Sequence, residues 1–381
     1  MNNSDLRASY VGVLSCPMEE ANIHPFINLV GLLRQINPQL EVIAVRDELS
    51  SIDELKNKNG DLSISEIIYN PGPITSPSRI SYYLMTQLRI SIRLLLSPRS
   101  DLWIFYIDDG LILPMITTKL LRRRTLIVLG GSLEREVKLT GSKIGKIACV
   151  LVKMNLRLCN SIMVYSPRFI TAWNLEPYRH KILIAHRHFL DFNTFTVTTP
   201  LSARPPLIGY IGRLSGEKGV QHFAQALPTI LAGRPDLRAL IGGDGALKES
   251  IEASLQEKGI TARVDLPGWI SHDNLPGYLN QLRLLVLPSY TEGLPNIMLE
   301  AMACGTSVLA TPVGAIPDVI IDGKTGFIME NNSPECIAEN VIRALNSPAL
   351  DKIAEEGRRF VEENFTFEQV IERWKEVLEG L

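Results

Sequence analysis

Residues 207–219 read LIGYIGRLSGEKG, and residues 284–305 read LLVLPSYTEGLPNIMLEAMACG. Each stretch begins with an apolar run of strand length and continues through a loop rich in Gly, Pro or Ser into a helical segment. The first loop holds Arg213 and Lys218, whereas the second holds Glu292, and Glu300 lies about one turn into the following helix. This pattern is typical of α/β domains that bind ligands beyond the carboxyl ends of parallel strands.

The same alternation of short apolar runs and amphipathic helices extends over most of the chain. It predicts an α/β fold made of two doubly wound, Rossmann-like parallel-sheet domains that face each other across a cleft. The strands predicted in the first half are Tyr10–Leu14, Val42–Val45, Leu102–Ile107, Thr125–Leu129 and Ile162–Tyr165. Those predicted in the second half are Pro206–Ile211, Ala239–Gly242, Val264–Leu266, Leu284–Leu287 and Val308–Ala310.

A change of composition separates the two series of elements. Residues 191–206 are poor in charge and rich in Thr and Pro, which is typical of a linker. We therefore expect a first domain over residues 1–190, a linker over 191–206 and a second domain over 207–364. Residues 365–381 have apolar side chains at helical spacing, and we expect them to form a last helix that packs back on the first domain.

Composition excludes several classes of protein. The 381 residues are 45% hydrophobic and 21% charged, unlike disordered, collagen-like or disulfide-scaffold chains. The net charge of −2 gives no reason to expect a nucleic-acid partner, although residues 1–200 sum to +6 and residues 201–381 to −8. The five cysteines are scattered and lack metal-ligand spacing, which favours a reducing, cytoplasmic environment. We expect no signal peptide and no membrane-spanning helix.

The cations of the first loop suit an anionic ligand. Glycines allow the backbone to approach a ligand closely, and Arg213 and Lys218 could bind a diphosphate together with amides of the turn. The alternative interpretation is an ordinary strand-to-helix turn with solvated charges, because glycine motifs are common.

The acids of the second loop suit hydroxyl groups. A carboxylate accepts hydrogen bonds from paired sugar hydroxyls, as the ribose-binding acid of dinucleotide folds does. Glu292 and Glu300 could both face the carboxyl edge of the sheet, and amides at the start of the helix could hold an anion. Either residue alone is more often a solvated surface acid.

Taken together, these motifs give the second half a family resemblance. The stretches GYIGRLSGEKGV, IGGDGALKESIEA, LPGWISHDNLPGYLNQLRLLVLPS and EGLPNIMLEAMACGTSVLATPVGAIPDVIIDGKTGF resemble the retaining family-4 glycosyltransferases, which have the GT-B fold. The two acids Glu292 and Glu300, separated by seven residues, match the signature of that family.

The resemblance implies a role for each matching position. Arg213 and Lys218 would bind the donor diphosphate, Glu292 would contact hydroxyls of the donor sugar, and Glu300 would hold the ribose. The resemblance places Arg213, Lys218 and Glu292 among the catalytic residues. The remaining donor-binding positions it implies are Gly212, Gly243, Trp269, Ile270, Gly293, Leu294, Pro295 and Asn296.

The chemistry implied is transfer of a sugar from a nucleotide-sugar to a saccharide or lipid-linked acceptor, with retention of configuration. Arg213 and Lys218 would stabilise the negative charge that grows on the leaving diphosphate, so no metal or other cofactor is expected. The adjacent Asp108 and Asp109 are interpreted as a loop or helix cap rather than a metal site. No residue is assigned as a nucleophile.

The first half matches the family less well. Ser15–Glu20 lacks the glycine pair that family members commonly carry after the first strand, and Gly130–Gly131 stand where they commonly place a His. His186 and His188 are interpreted as packing or surface residues, the alternative being a role in ligand binding.

Lys143, Lys146, Lys153 and Arg157 fall on one arc of a predicted helix, opposite Ile144, Ile147, Val150 and Leu151. This basic stripe either touches anionic lipid headgroups at the inner face of the membrane or is a solvated helix face.

Three other functions are considered. One is an inactive nucleotide-sugar-binding partner of another transferase, and the second is a nucleotide-sugar hydrolase or epimerase of the same architecture. A nicotinamide dehydrogenase is disfavoured because the first strand is not followed by G-x-G-x-x-G.

Overall fold

Two series of alternating strands and helices form two parallel sheets in a computed structural model of the protein. The structure describes residues 10–15, 20–46, 62–68, 78–97, 100–106, 110–130 and 143–381. The chain divides into a first unit, residues 1–187 with 371–381, and a second unit, residues 188–370.

The first unit contains a seven-stranded sheet in the order β3-β2-β1-β4-β5-β6-β7, with every pair parallel. Its inner strands are buried on both faces, which explains why they read as continuous apolar runs. The strands are β1 (Tyr10–Ser15), β2 (Leu40–Arg46), β3 (Ser63–Ile68), β4 (Ser100–Tyr106), β5 (Arg124–Val128), β6 (Ser161–Val164) and β7 (Ile182–Ile184). The helices are α1 (Glu20–Ile36), α2 (Ser78–Leu96), α3 (Ile112–Leu120), α4 (Lys143–Leu158) and α5 (Arg168–Ala172).

The second unit contains a six-stranded parallel sheet in the order β10-β9-β8-β11-β12-β13. Its strands are β8 (Leu207–Ile211), β9 (Arg238–Gly242), β10 (Val264–Gly268), β11 (Leu284–Leu287), β12 (Ser307–Ala310) and β13 (Phe327–Ile328). The helices are α6 (Val220–Gly233), α7 (Lys248–Glu257), α8 (Leu275–Leu279), α9 (Asn296–Ala303), α10 (Ile316–Val319), α11 (Pro334–Leu345), α12 (Leu350–Asn364) and α13 (Phe367–Glu379), the last ending in the first unit.

Two Rossmann-like parallel sheets confirm the predicted fold class. Three short or polar strands, β3, β7 and β13, were not predicted, because SISEII alternates polar residues and the other two contain only three and two residues. The last helix begins at Phe367 rather than Phe365, because the Thr366 hydroxyl accepts a hydrogen bond from the Gln369 amide at 3.2 Å and so caps the helix. Within the first unit, the Trp374 indole of this helix donates to the His186 carbonyl at 2.9 Å.

The segment 191–206, expected to be a linker, is anchored within the second unit. The Asn280 side chain accepts from the Thr198 amide at 2.8 Å and donates to the Thr196 carbonyl at 2.9 Å. Arg204 is buried, and burial lowers its pKa to about 10. Its guanidinium donates to the carbonyls of Thr199, Leu279, Leu282 and Cys304 and to the Thr306 hydroxyl.

In the described part of the chain, no helix is both long enough and apolar enough to span a bilayer.

The Arg204 cluster yields a stability prediction. Arg204→Met should lower the free energy of unfolding by about 3 kcal/mol, because several buried carbonyls lose a charged donor at once. The matched control is Arg238→Met, which removes an exposed guanidinium 2.8 Å from Asp265 and should change stability by less than about 1 kcal/mol. Urea unfolding measures both, and equal effects of the two substitutions would contradict the role given to Arg204.

Candidate functional site

The candidate site lies where the strand order of the second sheet reverses. Strands β8 and β11 are neighbours in the sheet, although they are far apart in the sequence, and the chain runs outward from them in opposite directions. Loops that follow such a pair of strands diverge at their carboxyl ends and leave a crevice there. Residues 212–219 and 288–295 form these two loops.

The loop after β8 runs beside the loop after β9. The Gly212 amide donates to the Gly242 carbonyl at 3.0 Å, and the Leu214 amide donates to the Asp244 carbonyl at 2.8 Å. Gly243 has a φ of +129°, and a Cβ at this position would lie 1.9 Å from the Gly212 carbonyl oxygen. Only glycine therefore allows the two loops to approach so closely.

The loop after β8 also touches the loop after β11. Gly219 has a φ of +68°, and a Cβ there would lie 2.0 Å from the Pro288 carbonyl oxygen. The Tyr290 amide donates to the Glu217 carbonyl at 2.9 Å. Backbone contacts alone therefore hold the two loops against each other.

The Lys218 and Glu292 side chains meet across these loops. The Lys218 ammonium lies 2.8 Å from both Oε1 and Oε2 of Glu292, and the Ser289 hydroxyl donates to Oε1 at 2.7 Å. The Glu292 side chain is 9% exposed and that of Lys218 29% exposed. The carboxylate is thus held by three hydrogen bonds and directs the ammonium to one place.

Arg213 is placed differently from Lys218. Its guanidinium lies 3.8 Å from the Glu217 carboxylate, and both side chains are largely exposed. Such a contact contributes little to stability, so the guanidinium can turn toward another anion at low cost. The backbone is better fixed than the side chain, since the buried Tyr210 hydroxyl donates to the Arg213 carbonyl at 2.7 Å. Burial, followed by the nearby Glu292 charge, raises the pKa of Tyr210.

Glu300 lies within α9 and is buried. His272 Nε2 is 3.3 Å from Glu300 Oε1, and the imidazole packs edge-on against Phe195 with ring centroids 5.2 Å apart. The hydrogen bond to Glu300 raises the pKa of His272 above its ordinary value of 6.5. Glu300 therefore contacts His272 rather than the Lys218–Glu292 pair.

The other predicted donor-binding residues lie on neighbouring loops. Ile270 packs directly over Gly242, whereas the Trp269 side chain is 73% exposed. Gly293 accepts a hydrogen bond from the Ala315 amide at 2.8 Å. Leu294 and Pro295 are buried, and Asn296 begins α9. The Met298 amide donates to the Pro295 carbonyl, which leaves the amides of Asn296 and Ile297 as donors for an anion.

The structure therefore brings together some predicted residues and adds others. Lys218 and Glu292 are in direct contact, and Gly212 and Gly243 touch through their backbones. Arg213 lies on the loop after β8, between Gly212 and Lys218. Among the described residues, no hydrogen bond or ion pair joins Trp269 or Glu300 to Glu292. Sequence reasoning missed Ser289 and His272, because their contact with an acid depends on tertiary packing.

Several predictions lie outside the described residues. They concern Asp108 and Asp109, residues 16–19 of the loop after β1, and residues 131–134 after Gly130. Within the described ranges, no group of three or more His, Cys, Asp or Glu side chains could hold a metal ion.

The second unit is therefore a Rossmann-like domain with two loops, fixed by glycines, at the switch point of its parallel sheet. The cations and acids on these loops make them a candidate site for an anionic ligand that carries hydroxyl groups. Residues 192–362 match the family described as glycosyl transferases group 1. Over 98% of its length the chain also superposes on the whole of Anabaena Alr3699/HepE, crystallised in complex with UDP, with a TM-score of 0.78 and 17% identity. Residues 192–362 are thus similar to the group 1 glycosyl transferases, and the chain has the GT-B fold.

Two Streptomyces kanamyceticus proteins are similar to this part of the chain. Alpha-D-kanosaminyltransferase is 31% identical over 39% of the chain and 39% of its own length. The 2-deoxystreptamine glucosyltransferase is 33% identical over 38% of the chain and 37% of its own length. The chain thus matches about two fifths of each of these curated relatives.

The His272–Glu300 contact yields a prediction about pH. Because the folded-state pKa of His272 is raised, the contact stabilises the fold fully below pH 6.5, and this contribution is lost as the pH rises through the raised pKa. Glu300→Gln should move the His272 pKa back toward 6.5, as followed by NMR titration of the imidazole. The matched control Glu257→Gln, at an exposed acid that is not among the groups shifting His272, should leave the His272 pKa unchanged. A wild-type His272 that titrates at or below 6.5 would contradict the contact.

Proposed function

We propose that the chain is a glycosyltransferase that moves a sugar from a nucleotide-sugar donor to a saccharide or lipid-linked acceptor. The observation that supports this best is the contact between Lys218 and Glu292, formed at the switch point inside the region that matches the family. The kanosaminyl and glucosyl transfer named for the two relatives, and the UDP bound in the Anabaena structure, agree with this proposal.

The two cations are assigned to the diphosphate of the donor. Negative charge grows on the diphosphate as the anomeric C–O bond breaks, so a cation fixed beside it stabilises the transition state more than the ground state. Lys218 is fixed in this way by the carboxylate of Glu292. Arg213 exchanges its weak contact with Glu217 for a phosphate oxygen when the donor binds.

Glu292 is assigned two tasks. Its oxygens hold the Lys218 ammonium, and an ionised carboxylate has acceptor capacity left for a hydroxyl of the donor sugar. Ser289 then keeps the carboxylate in a single orientation for both contacts. This arrangement accounts for a charged acid that is 9% exposed at a ligand site.

Glu300 is assigned to the ribose of the nucleotide. Its carboxylate is buried in α9 with His272 beside it. The carboxylate is therefore already desolvated and oriented to accept hydrogen bonds from the two ribose hydroxyls. The exposed Trp269 ring, and Ile270 over Gly242, are assigned to the side of the base, where an aromatic face can stack.

We further propose that the configuration of the sugar is retained and that no metal ion is needed. Retention rests on the resemblance to the retaining family-4 enzymes. Metal independence rests on Arg213 and Lys218, which together supply the charge that a divalent cation would otherwise supply to the diphosphate.

Removing the fixed cation tests the assignment. Lys218→Met should lower kcat/KM for sugar transfer by about a hundredfold or more, because the leaving diphosphate loses its oriented charge. Lys324→Met, which removes an exposed lysine at a loop remote in sequence from both site loops, should leave the rate unchanged. The measurement is steady-state kinetics on the donor and acceptor found by screening nucleotide-sugars. Unchanged kinetics for Lys218→Met would refute the role, and donor binding without turnover of any donor by the wild type would identify an inactive binding protein.

A chelator tests the second part of the proposal. Activity after exhaustive treatment with EDTA should equal that of the untreated protein, because the charge on the diphosphate is met by side chains. Adding Mg²⁺ or Mn²⁺ back should not increase the rate. Loss of activity on chelation, restored by either ion, would show that a metal takes part.

A further inference from the structure

Large apolar side chains are exposed on one layer of the first unit. Within the described ranges, eighteen large apolar residues are exposed, and fourteen of them lie on the helices α2, α3 and α4. Those on α2 are Tyr82, Leu84, Met85, Leu88, Ile92, Leu95 and Leu96; those on α3 are Leu113, Ile116 and Leu120; those on α4 are Ile147, Val150, Met154 and Leu158. Single exposed apolar residues are ordinary, but a concentration of this size on adjacent helices marks an interaction surface.

The three helices lie side by side on the same face of the sheet. Strands β3, β4, β5 and β6 follow one another in one direction across the sheet, so right-handed crossovers put the helices between them on one face. The Leu113 amide donates to the Gln87 side chain at 3.0 Å and so joins α3 to α2. Each helix also has a separate inner face, with Ile90, Met115 and Leu156 buried. The exposed apolar residues are therefore additional to the faces that cover the sheet.

The three helices that carry these apolar residues contain cations and no acids. Across the 44 residues of α2, α3 and α4 there are eight Lys or Arg residues and no Asp or Glu. Arg89 and Arg93 are exposed on α2, and Lys146, Lys153 and Arg157 are exposed on α4. On α4 the cations fall between Ile147, Val150, Met154 and Leu158 at helical spacing, so a single surface is both apolar and basic.

This arrangement corrects one expectation from the sequence. Ile147 and Val150 were expected opposite the basic stripe, yet they are 63% and 57% exposed and lie on the same side as Lys146 and Lys153. The inward positions are taken instead by Asn155, Leu156 and Cys159 at the end of the helix. The side chains of Lys143 and Ile144 lie outside the described part of the chain.

We propose that the exposed apolar and basic residues of α2, α3 and α4, the docking face, bind the surface of an anionic phospholipid bilayer. The apolar side chains enter the boundary between headgroups and acyl chains, and the Lys and Arg side chains contact the phosphates. Charge complementarity decides the occupant: a second copy packed face to face would bring cations against cations, whereas an anionic bilayer offers negative charge above an apolar layer. The proposal does not depend on the proposed function, because it concerns neither the donor site nor turnover.

Vesicle sedimentation of the full chain tests the docking face. The wild type should sediment with vesicles of phosphatidylcholine mixed with phosphatidylglycerol, and it should remain in solution with phosphatidylcholine alone. The triple variant Lys146→Gln, Lys153→Gln, Arg157→Gln should bind the anionic vesicles about a hundredfold more weakly, because each cation contributes about fivefold to the affinity. The matched control replaces Lys258, Lys324 and Lys352, which are exposed in the second unit, by Gln and should bind as the wild type does.

The apolar part is tested separately. Leu88→Gln, Ile92→Gln and Leu95→Gln together should weaken binding to anionic vesicles while leaving the thermal unfolding midpoint unchanged, since all three side chains are exposed. Equal sedimentation with neutral and anionic vesicles, or no effect of either triple variant, would overturn the proposal. A stable dimer in analytical ultracentrifugation that the apolar variant dissociates would overturn it too, because the face would then be a self-association surface.

Discussion

The function proposed for the second unit depends on one ion pair formed across two loops. Lys218 and Glu292 are 74 residues apart in sequence, and their side chains meet because Gly219 lets the first loop rest against Pro288. Gly314 fixes the second loop in the same way, since a Cβ there would lie 2.2 Å from the Glu292 carbonyl oxygen. The backbone thus determines where the charges lie before a ligand arrives, which is the condition for electrostatic stabilisation without reorganisation.

The parts of the fold that depend on local pattern were predictable from the sequence. Strand Leu284–Leu287 agrees with the structure at both ends, because an apolar run marks its limits, and the helical segment expected after the second loop begins at Asn296, directly after a Pro. The glycine loops were also visible, since glycine permits the positive φ and the close backbone approach found in such turns. The partners of the acids were not visible. Ser289 is only three residues from Glu292 in the sequence, but the His272–Glu300 contact spans 28 residues and depends on packing.

The docking face shows a second reason why hydrophobic periodicity alone does not predict how a helix packs. A repeat of 3.6 residues reveals apolar arcs on a helix, but a helix with two apolar arcs does not reveal which one covers the sheet. On α4 the sequence favoured the arc with Ile147 and Val150 as the inner one, and tertiary packing chose Asn155 and Leu156 instead. The informative signal was the complete lack of acids in α2, α3 and α4, because solvation alone does not exclude Asp or Glu from the exposed side of a helix.

Charge links the two proposals. Residues 1–200 carry a net +6 and residues 201–381 a net −8, so the near-neutral total conceals two halves of opposite sign. An anionic bilayer attracts the basic half and repels the acidic half, which favours contact through the first unit alone. The same acidic balance means that the second unit offers no general attraction to an anionic donor. Binding there has to come from cations placed one by one, and Lys218, fixed on Glu292, and Arg213, released from Glu217, are placed to provide it.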